Sequence, residues 1–303
     1  MARIADIFAG LDEIVQENAP LKELNWFKLG GPARYLIRPR DVEELRVAVA
    51  RCVENGIAVY VLGLGANILI DDEGVDGAVF RLSAEEWRKT RFDGEVLEAG
   101  AGVDMQKLML RAVRQGRAGL ECLAGIPGTI GGGIHGNAGG RWGDIGTLVR
   151  GVTVMDTTGT VFQRTKEDLV FEYRRTNILA RFILSATLGL EEDDPDRIMQ
   201  RVKEYWMYKK NTQPLSTKNA GCVFKNPRGL AAGALIDQAG LKGLTVGGAQ
   251  VSQKHANFII AHPGCTSADV RKLIKIVQER VSEKHTVDLQ LEIQLWPVRA
   301  AGE

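Results

Sequence analysis

A chain of 303 residues, 45% hydrophobic and 25% charged, has the composition of a globular protein of two or three modules. Its 39 Lys and Arg against 38 Asp and Glu leave a net charge of +1, with no basic field for nucleic acid and no acidic tail. No apolar run is long enough to span a bilayer, and Met1 to Glu13, with Asp6, Asp12 and Glu13, does not read as a signal peptide, so a cytoplasmic protein is expected.

In chain order, Asp41 followed by Glu44 resembles a capping box, and Val42, Leu45, Val49 and Val53 then repeat at helical spacing up to Gly56. Ile57 to Leu62 predicts a short strand. Asp104 opens a second helix with Met105, Leu108, Met109 and Ala112 on one face, ending at Gly116. Gly151 to Phe162 alternates around Thr157-Thr158-Gly159 as a hairpin does. The acidic run Glu191 to Asp196, interrupted by Pro195, reads as a domain link. A third helix follows, with Ile198, Val202, Tyr205 and Trp206 on one side. Val270, Leu273, Ile274, Val277 and Val281 mark another, opened by Thr266 or Ser267. Val287, Leu289, Leu291, Ile293 and Leu295 alternate with polar residues, which predicts a half-buried strand. Helices and strands mix without a steady βαβα rhythm, so the fold class expected is α+β. The four cysteines, Cys52, Cys122, Cys222 and Cys265, form no CxxC pair and have no metal-like histidine spacing, so no metal is expected. Sparse cysteine fits a reducing compartment.

The 35 glycines are clustered. Gly63-Leu64-Gly65 ends a strand but lacks the third glycine and the immediate helix of a Rossmann fingerprint. Gly125 to Gly133 holds five glycines in nine residues, a surface on which a diphosphate can meet backbone amides. There is no GxxxxGK[ST], and a tight structural crossover explains an isolated cluster about as well.

Taken with further stretches, these clusters resemble the UDP-N-acetylenolpyruvoylglucosamine reductase family of peptidoglycan precursor synthesis. The matching stretches are Leu29-Gly30-Gly31-Pro32-Ala33, Leu62 to Leu69, Gly125 to Gly133 with Asn137-Ala138-Gly139, and Phe171-Glu172-Tyr173-Arg174-Arg175-Thr176. Then come Ala220-Gly221-Cys222-Val223-Phe224-Lys225-Asn226-Pro227, Ala239-Gly240-Leu241-Lys242-Gly243 and Val251 to Phe258, so the resemblance runs from about Asn25 to Leu295. The early glycine motifs are those of the flavin fold at large; the FKNP and GLKG stretches are those of this reductase. The resemblance implies a vanillyl-alcohol-oxidase type FAD-binding module of two α+β subdomains and a smaller α+β substrate-binding domain. The expected division is a segment 1–28 packing on the FAD module, the FAD module at 29–195 and the substrate domain at 196–303. The short spacing between Tyr173 and Gly221 points to the family's shorter form, which lacks an extra substrate-covering loop.

The reaction implied has two halves, in which NADPH reduces FAD and hydride then passes to the enolpyruvyl ether of a UDP-sugar. The FAD, held without a covalent bond, is expected on Gly63, Gly65, Ala66, Asn67, Ile68, Gly125, Pro127, Gly128, Thr129, Gly132, Gly133, Asn137 and Ala138. A Cβ at Gly128 or Gly132 should stand where the diphosphate approaches. Arg174, in the family's YR motif, is expected to stabilise negative charge on the substrate, since a guanidinium stays ionised and grips a carboxylate with two bonds. On residue type alone it would be a surface arginine. Cys222 stands where the family usually has a proton-donating serine. An unperturbed thiol titrates near ~8.5, well below an alcohol, although a lone cysteine more often fills a core gap. Glu292 is the second acid of the family's carboxy-terminal stretch, whose first acid is here Gln290. Tyr173, Lys225, Asn226, His255 and Asn257 are expected to bind the UDP-sugar, with weaker support for Lys209 and Lys210, while His135 reads as a packing or loop residue. No protein partner is implied. The rival readings are a flavoenzyme of the same fold with another substrate and a non-catalytic flavin-binding homologue.

Overall fold

Capping and apolar spacing fix the helices of the chain, seen here in a computed structural model that describes residues 7–297. The part of the amino-terminal reading that rests on residues 1–6 lies outside the described residues. Helix α1 covers Val42–Glu54, with the Asp41 carboxylate accepting from Glu44 N–H at 2.9 Å. Glu44 answers one residue further back, on Arg40 N–H, rather than on Asp41. The buried stripe is Leu45, Ala48, Val49 and Cys52, and Val53 is 55% exposed, because the helix turns its i+3 position inward after Val49. Helix α2 covers Met105–Arg114 under an Asp104 cap and buries the expected face. A six-residue helix α3 (Ile130–His135) begins at Thr129. Helix α4 covers Pro195–Thr212, α5 covers Ala232–Gln238, and α6 covers Ser267–His285 with Thr266 and Asp269 in a capping box. On α4, Ile198 and Val202 are buried, but Trp206 is 42% exposed, so the side expected for it is wrong.

The architecture is α+β, in two compact units, neither continuous in sequence. The first takes the described residues up to Asn18, then Tyr35–Leu64 and Gly77–Tyr208. Its five-stranded antiparallel sheet has the order Val161–Thr165, Val149–Met155, Phe182–Gly189, Val96–Gly100, Thr90–Asp93, and the first two strands are the expected hairpin. Val59–Val61 runs parallel to Ala78–Phe80 in another sheet, and Phe80 meets Phe182 edge-on at 5.3 Å in one core. Phe8 packs on Tyr35 in the same core.

The second unit takes Ala19–Arg34, Gly65–Asp76 and the described residues from Lys209 onward. The strands Thr245–Val246, Ala249–Val251 and Ile259–Ala261 form a meander whose core includes residues of α5 and α6. Ile68–Ile70 pairs in parallel with Gln294–Trp296, and this pairing draws Gly65–Asp76 out of the expected 29–195 range. The acidic stretch is not a break either. Glu191–Glu192 pairs with Arg117–Ala118, and Arg201 on α4 reaches back to Glu121 and Asp193, both at 2.9 Å. The predicted terminal strand keeps its alternation in burial but is hydrogen-bonded as a strand only over Gln294–Trp296, with an isolated bridge from Leu291 to Phe224.

Asp72 and α6 clasp each other in the second unit. Ser267 N–H and Ala268 N–H donate to the Asp72 carboxylate at 2.8 and 3.1 Å, and Asp72 N–H donates to Ser267 Oγ at 2.9 Å. Asp72→Ala strips the acceptor from two helix-terminal donors, so a loss of about 1–2 kcal/mol is expected. Urea unfolding should show a lower midpoint at unchanged slope.

Candidate active site

Two glycine-rich loops meet in the first unit. The chain leaves Val59–Val61 through Leu62, whose N–H donates to Phe80 O at 2.8 Å, and then Gly63. A Cβ on Gly63 would stand 2.8 Å from Thr129 Oγ1, so this glycine lies against the second loop. Among the described residues, no acceptor meets the N–H groups of Gly63, Leu64, Gly65, Ala66 and Asn67. Gly65 takes φ +66. A run of unspent amides bent by a left-handed residue is an anion-binding concavity.

The second loop departs from the exposed amide surface expected of it. Gly125 N–H is held by Gln106 Oε1 at 3.0 Å, and Gly132 N–H by Thr129 Oγ1 at 3.3 Å. Ile126, Ile130, Gly131 and Gly133 donate to main-chain carbonyls. These glycines serve packing. A Cβ on Gly131 would come within 2.8 Å of Ala101 Cβ, and one on Gly133 within 2.5 Å of Met105 Sδ. The donors left over, among the described residues, are the N–H groups of Gly128 and Thr129, on the side of Gly63. Gly128 itself has φ +151 and Met105 Cε at 2.9 Å from its missing Cβ, so bulk there strains the fold before it touches a ligand. Gly132 is exposed, with only Thr129 Oγ1 at 3.4 Å, and separates the two effects. Gln106, which sequence reasoning missed, holds this loop through Gly125 N–H, Leu123 O and Ile126 O. Its signal was a polar residue one step past a buried helix start. His135 ends α3 as an exposed residue, while partial burial of its ring, with Arg181 nearby, lowers its pKa.

Tyr173-Arg174 is the two-residue link between Phe171–Glu172 and Arg175–Thr176. Arg174 takes φ +54, and its guanidinium returns to the first unit's glycine loops, donating to Gly139 O at 2.8 Å and Asn137 O at 3.3 Å. It also lies 5.1 Å from the ring of the half-exposed Tyr173. Asn137 is buried and spends its side chain on the protein, with Nδ2 donating to Glu172 O at 2.9 Å and Oδ1 accepting from Gly146 N–H at 3.0 Å. It therefore holds the Arg174 hairpin in place, where direct contact with a cofactor was expected of it. Ala138 joins the same turn, its N–H donating to Gly133 O.

In the second unit, the FKNP stretch and the carboxy-terminal stretch lie antiparallel. Lys225 N–H donates to Gln290 O and Glu292 N–H to Val223 O, each at 2.8 Å. Cys222 is half-buried between Gly221, at φ +77, and Val223, whose N–H is fixed to Asn257 O at 2.8 Å. Glu292 is also tied to the first glycine loop, since Asn67 Nδ2 donates to Glu292 O at 3.1 Å, and Ile68 pairs with Gln294. The stretches that carry Cys222 and Glu292 are thus bonded to each other and, through Asn67 and Ile68, to the first loop.

The expected substrate ligands divide. Asn257 is 2% exposed and pairs with Phe224 as a strand would, Oδ1 accepting from Phe224 N–H at 2.9 Å and Nδ2 donating to Phe224 O at 2.8 Å. Its side chain is spent on holding the FKNP stretch, so it is not placed to take a ligand. Asn226 Oδ1 accepts from Ala232 N–H at 3.0 Å, at the start of α5. His255 Nδ1 accepts from Asn257 N–H at 3.3 Å, and burial, with Lys242 nearby, pulls its pKa down, so the ring is neutral. Lys225 keeps a half-buried side chain on the Cys222 stretch. Lys209 is buried, and Lys210 O accepts from Lys254 Nζ.

A family profile described as "FAD binding domain" matches residues 33–164, and one described as "UDP-N-acetylenolpyruvoylglucosamine reductase, C-terminal domain" matches residues 213–296. The UDP-N-acetylenolpyruvoylglucosamine reductase of Moorella thermoacetica is 40% identical over 296 residues, 97% of each chain. That of Bacillus licheniformis is 36% identical over 285 residues, 93% of each chain. Among solved structures, the UDP-N-acetylenolpyruvylglucosamine reductase of Thermus caldophilus superposes with a TM-score of 0.79 at 37% identity, over 92% of this chain and 98% of that one.

Proposed function

The chain belongs to the UDP-N-acetylenolpyruvoylglucosamine reductase family, and from that premise we propose how its residues divide the work. It is an FAD-containing oxidoreductase that reduces enolpyruvyl UDP-N-acetylglucosamine in peptidoglycan precursor synthesis. The observation that carries this is the 40% identity to one such reductase over 97% of both chains. NADPH as the hydride source, a cytoplasmic location and action without a protein partner are part of the proposal. No helix among the described residues is long and apolar enough to cross a membrane.

The unspent amides of Gly63 and Leu64, with those of Gly128 and Thr129, fit the diphosphate of FAD, because they offer donors where no protein acceptor answers them. When bound and reduced by NADPH, the flavin would supply hydride to the terminal carbon of the enolpyruvyl double bond. Charge then develops on the neighbouring carbon and its carboxylate, and Arg174 is the group that stabilises it. The Cys222 thiol delivers the proton to that carbon, and Glu292 supports the donor through the shared stretch. Lys225 meets the substrate's diphosphate as a compact charge, and Tyr173 offers the sugar nucleotide a half-exposed ring. His255 offers a neutral ring to the same substrate.

The experiment is direct. The purified protein should be yellow, bleach with NADPH under anaerobic conditions, and regain its colour when enolpyruvyl UDP-N-acetylglucosamine is added. Acid precipitation should leave all flavin in the supernatant. Bleaching without recolouring would transfer the chain to another flavin substrate, and flavin in the pellet would mean a covalent link.

A further inference from the structure

Three strand ends lie side by side in the first unit. Leu62 N–H donates to Phe80 O at 2.8 Å, and Arg81 N–H donates to Ile37 O at 2.9 Å. Arg81 and Arg38 therefore follow the last residues of two neighbouring strands, and Leu62-Gly63, where the unspent amides begin, follows the end of a third. Both arginines are half-buried. Arg38 makes one side-chain bond, from Nη1 to Gln16 Oε1 at 3.3 Å. Among the described residues, no carboxylate or other acceptor reaches the Arg81 guanidinium, and Glu13 and Glu44, on adjoining elements, are spent on Arg40. Burial, and then the charge of Arg38, pull the Arg81 pKa down. Two guanidinium groups held near each other without a counter-ion lose hydration and repel, a cost that an anion between them removes.

We propose that Arg38 and Arg81 form a clamp for the diphosphate of FAD, completing with two cations the anion cradle begun by the amides of Gly63 and Leu64. The clamp rests on the flavin reading above. A guanidinium presents parallel N–H donors to a phosphoryl group, and a diphosphate has oxygens for two of them. The amides fix where the diphosphate lies, and the arginines neutralise it.

The test uses the holoenzymes of wild type, Arg81→Gln, Arg38→Gln and Arg81→Lys. Recovery of flavin fluorescence on dilution gives the FAD dissociation constant at low and high KCl. Each glutamine variant should bind FAD about ten- to a hundredfold more weakly, the fold-change expected from losing one charge-assisted hydrogen bond. Salt should weaken wild-type binding more than variant binding, and Arg81→Lys should fall between wild type and Arg81→Gln. Added inorganic pyrophosphate should release FAD from wild type. Glutamine variants that hold FAD as tightly as wild type, with the same salt response, overturn the clamp and leave the flavin reading standing. A wild type that carries no FAD sinks the flavin reading itself. If Arg81→Gln does not fold, Arg38→Gln and Arg81→Lys decide the matter by the same measurement.

Discussion

Cys222→Ala should leave NADPH bleaching of the flavin untouched and slow recolouring by the enolpyruvyl substrate by about 10²–10⁴-fold, the range that a positioned proton donor contributes. Cys222→Ser should keep much of the activity. The backbone explains why serine can take over. Gly221 at φ +77 and Val223, bonded through its N–H to Asn257 O and through its O to Glu292 N–H, fix the Cα of residue 222 from both sides. A hydroxyl on the same Cβ therefore leaves the backbone in the same direction as the thiol. Stopped-flow traces of the two half-reactions separate the outcomes. A thiol-alkylating reagent should inactivate the wild type, and bound substrate should protect it. If Cys222→Ala recolours at the wild-type rate, the proton comes from elsewhere, with Glu292 or a water held by it next in line.

Arg174→Lys should cost about 10²-fold or more in the same half-reaction, comparable with removing one donor aimed at developing charge. Lysine keeps the charge but cannot donate in one plane to both Gly139 O and Asn137 O, the two bonds that set the guanidinium's orientation. The hairpin should survive, since Asn137 holds it through Glu172 O and Gly146 N–H independently of the side chain at 174. Flavin bleaching by NADPH should be unchanged. An equal fall in both half-reactions would make Arg174 a structural or NADPH-binding residue.

What could be read from the sequence was local. Thr266 and Asp269, three residues apart, announce the start of α6, and Asp104 announces α2, because a cap is a contact between near neighbours. The units were hidden because Ile68–Ile70 pairs with residues near the other end of the chain, and no periodicity in either stretch names its partner. The site shows the same division. The YR and FKNP stretches single out Arg174 and Cys222 as candidates. Residue type could not tell that Asn257 would imitate a strand against Phe224, or that Asn137 would anchor a hairpin. An amide side chain serves backbone and ligand equally well, so only coordinates reveal which it does. Gln106 was missed for the same reason.

The three-segment makeup of the second unit bears on how the protein is born. A ribosome releases Gly65–Asp76 well before Gln294–Trp296, so Ile68–Ile70 waits without its partner strand while the chain between them is made. During that wait an apolar strand edge is open to mispairing. The amides from Gly65 to Asn67 lie next to that waiting strand, and Asn67 O itself accepts from Gln294 N–H. A chain stalled before Gln294 should therefore lack the pairing that seats this stretch, and should take up less flavin than the full chain.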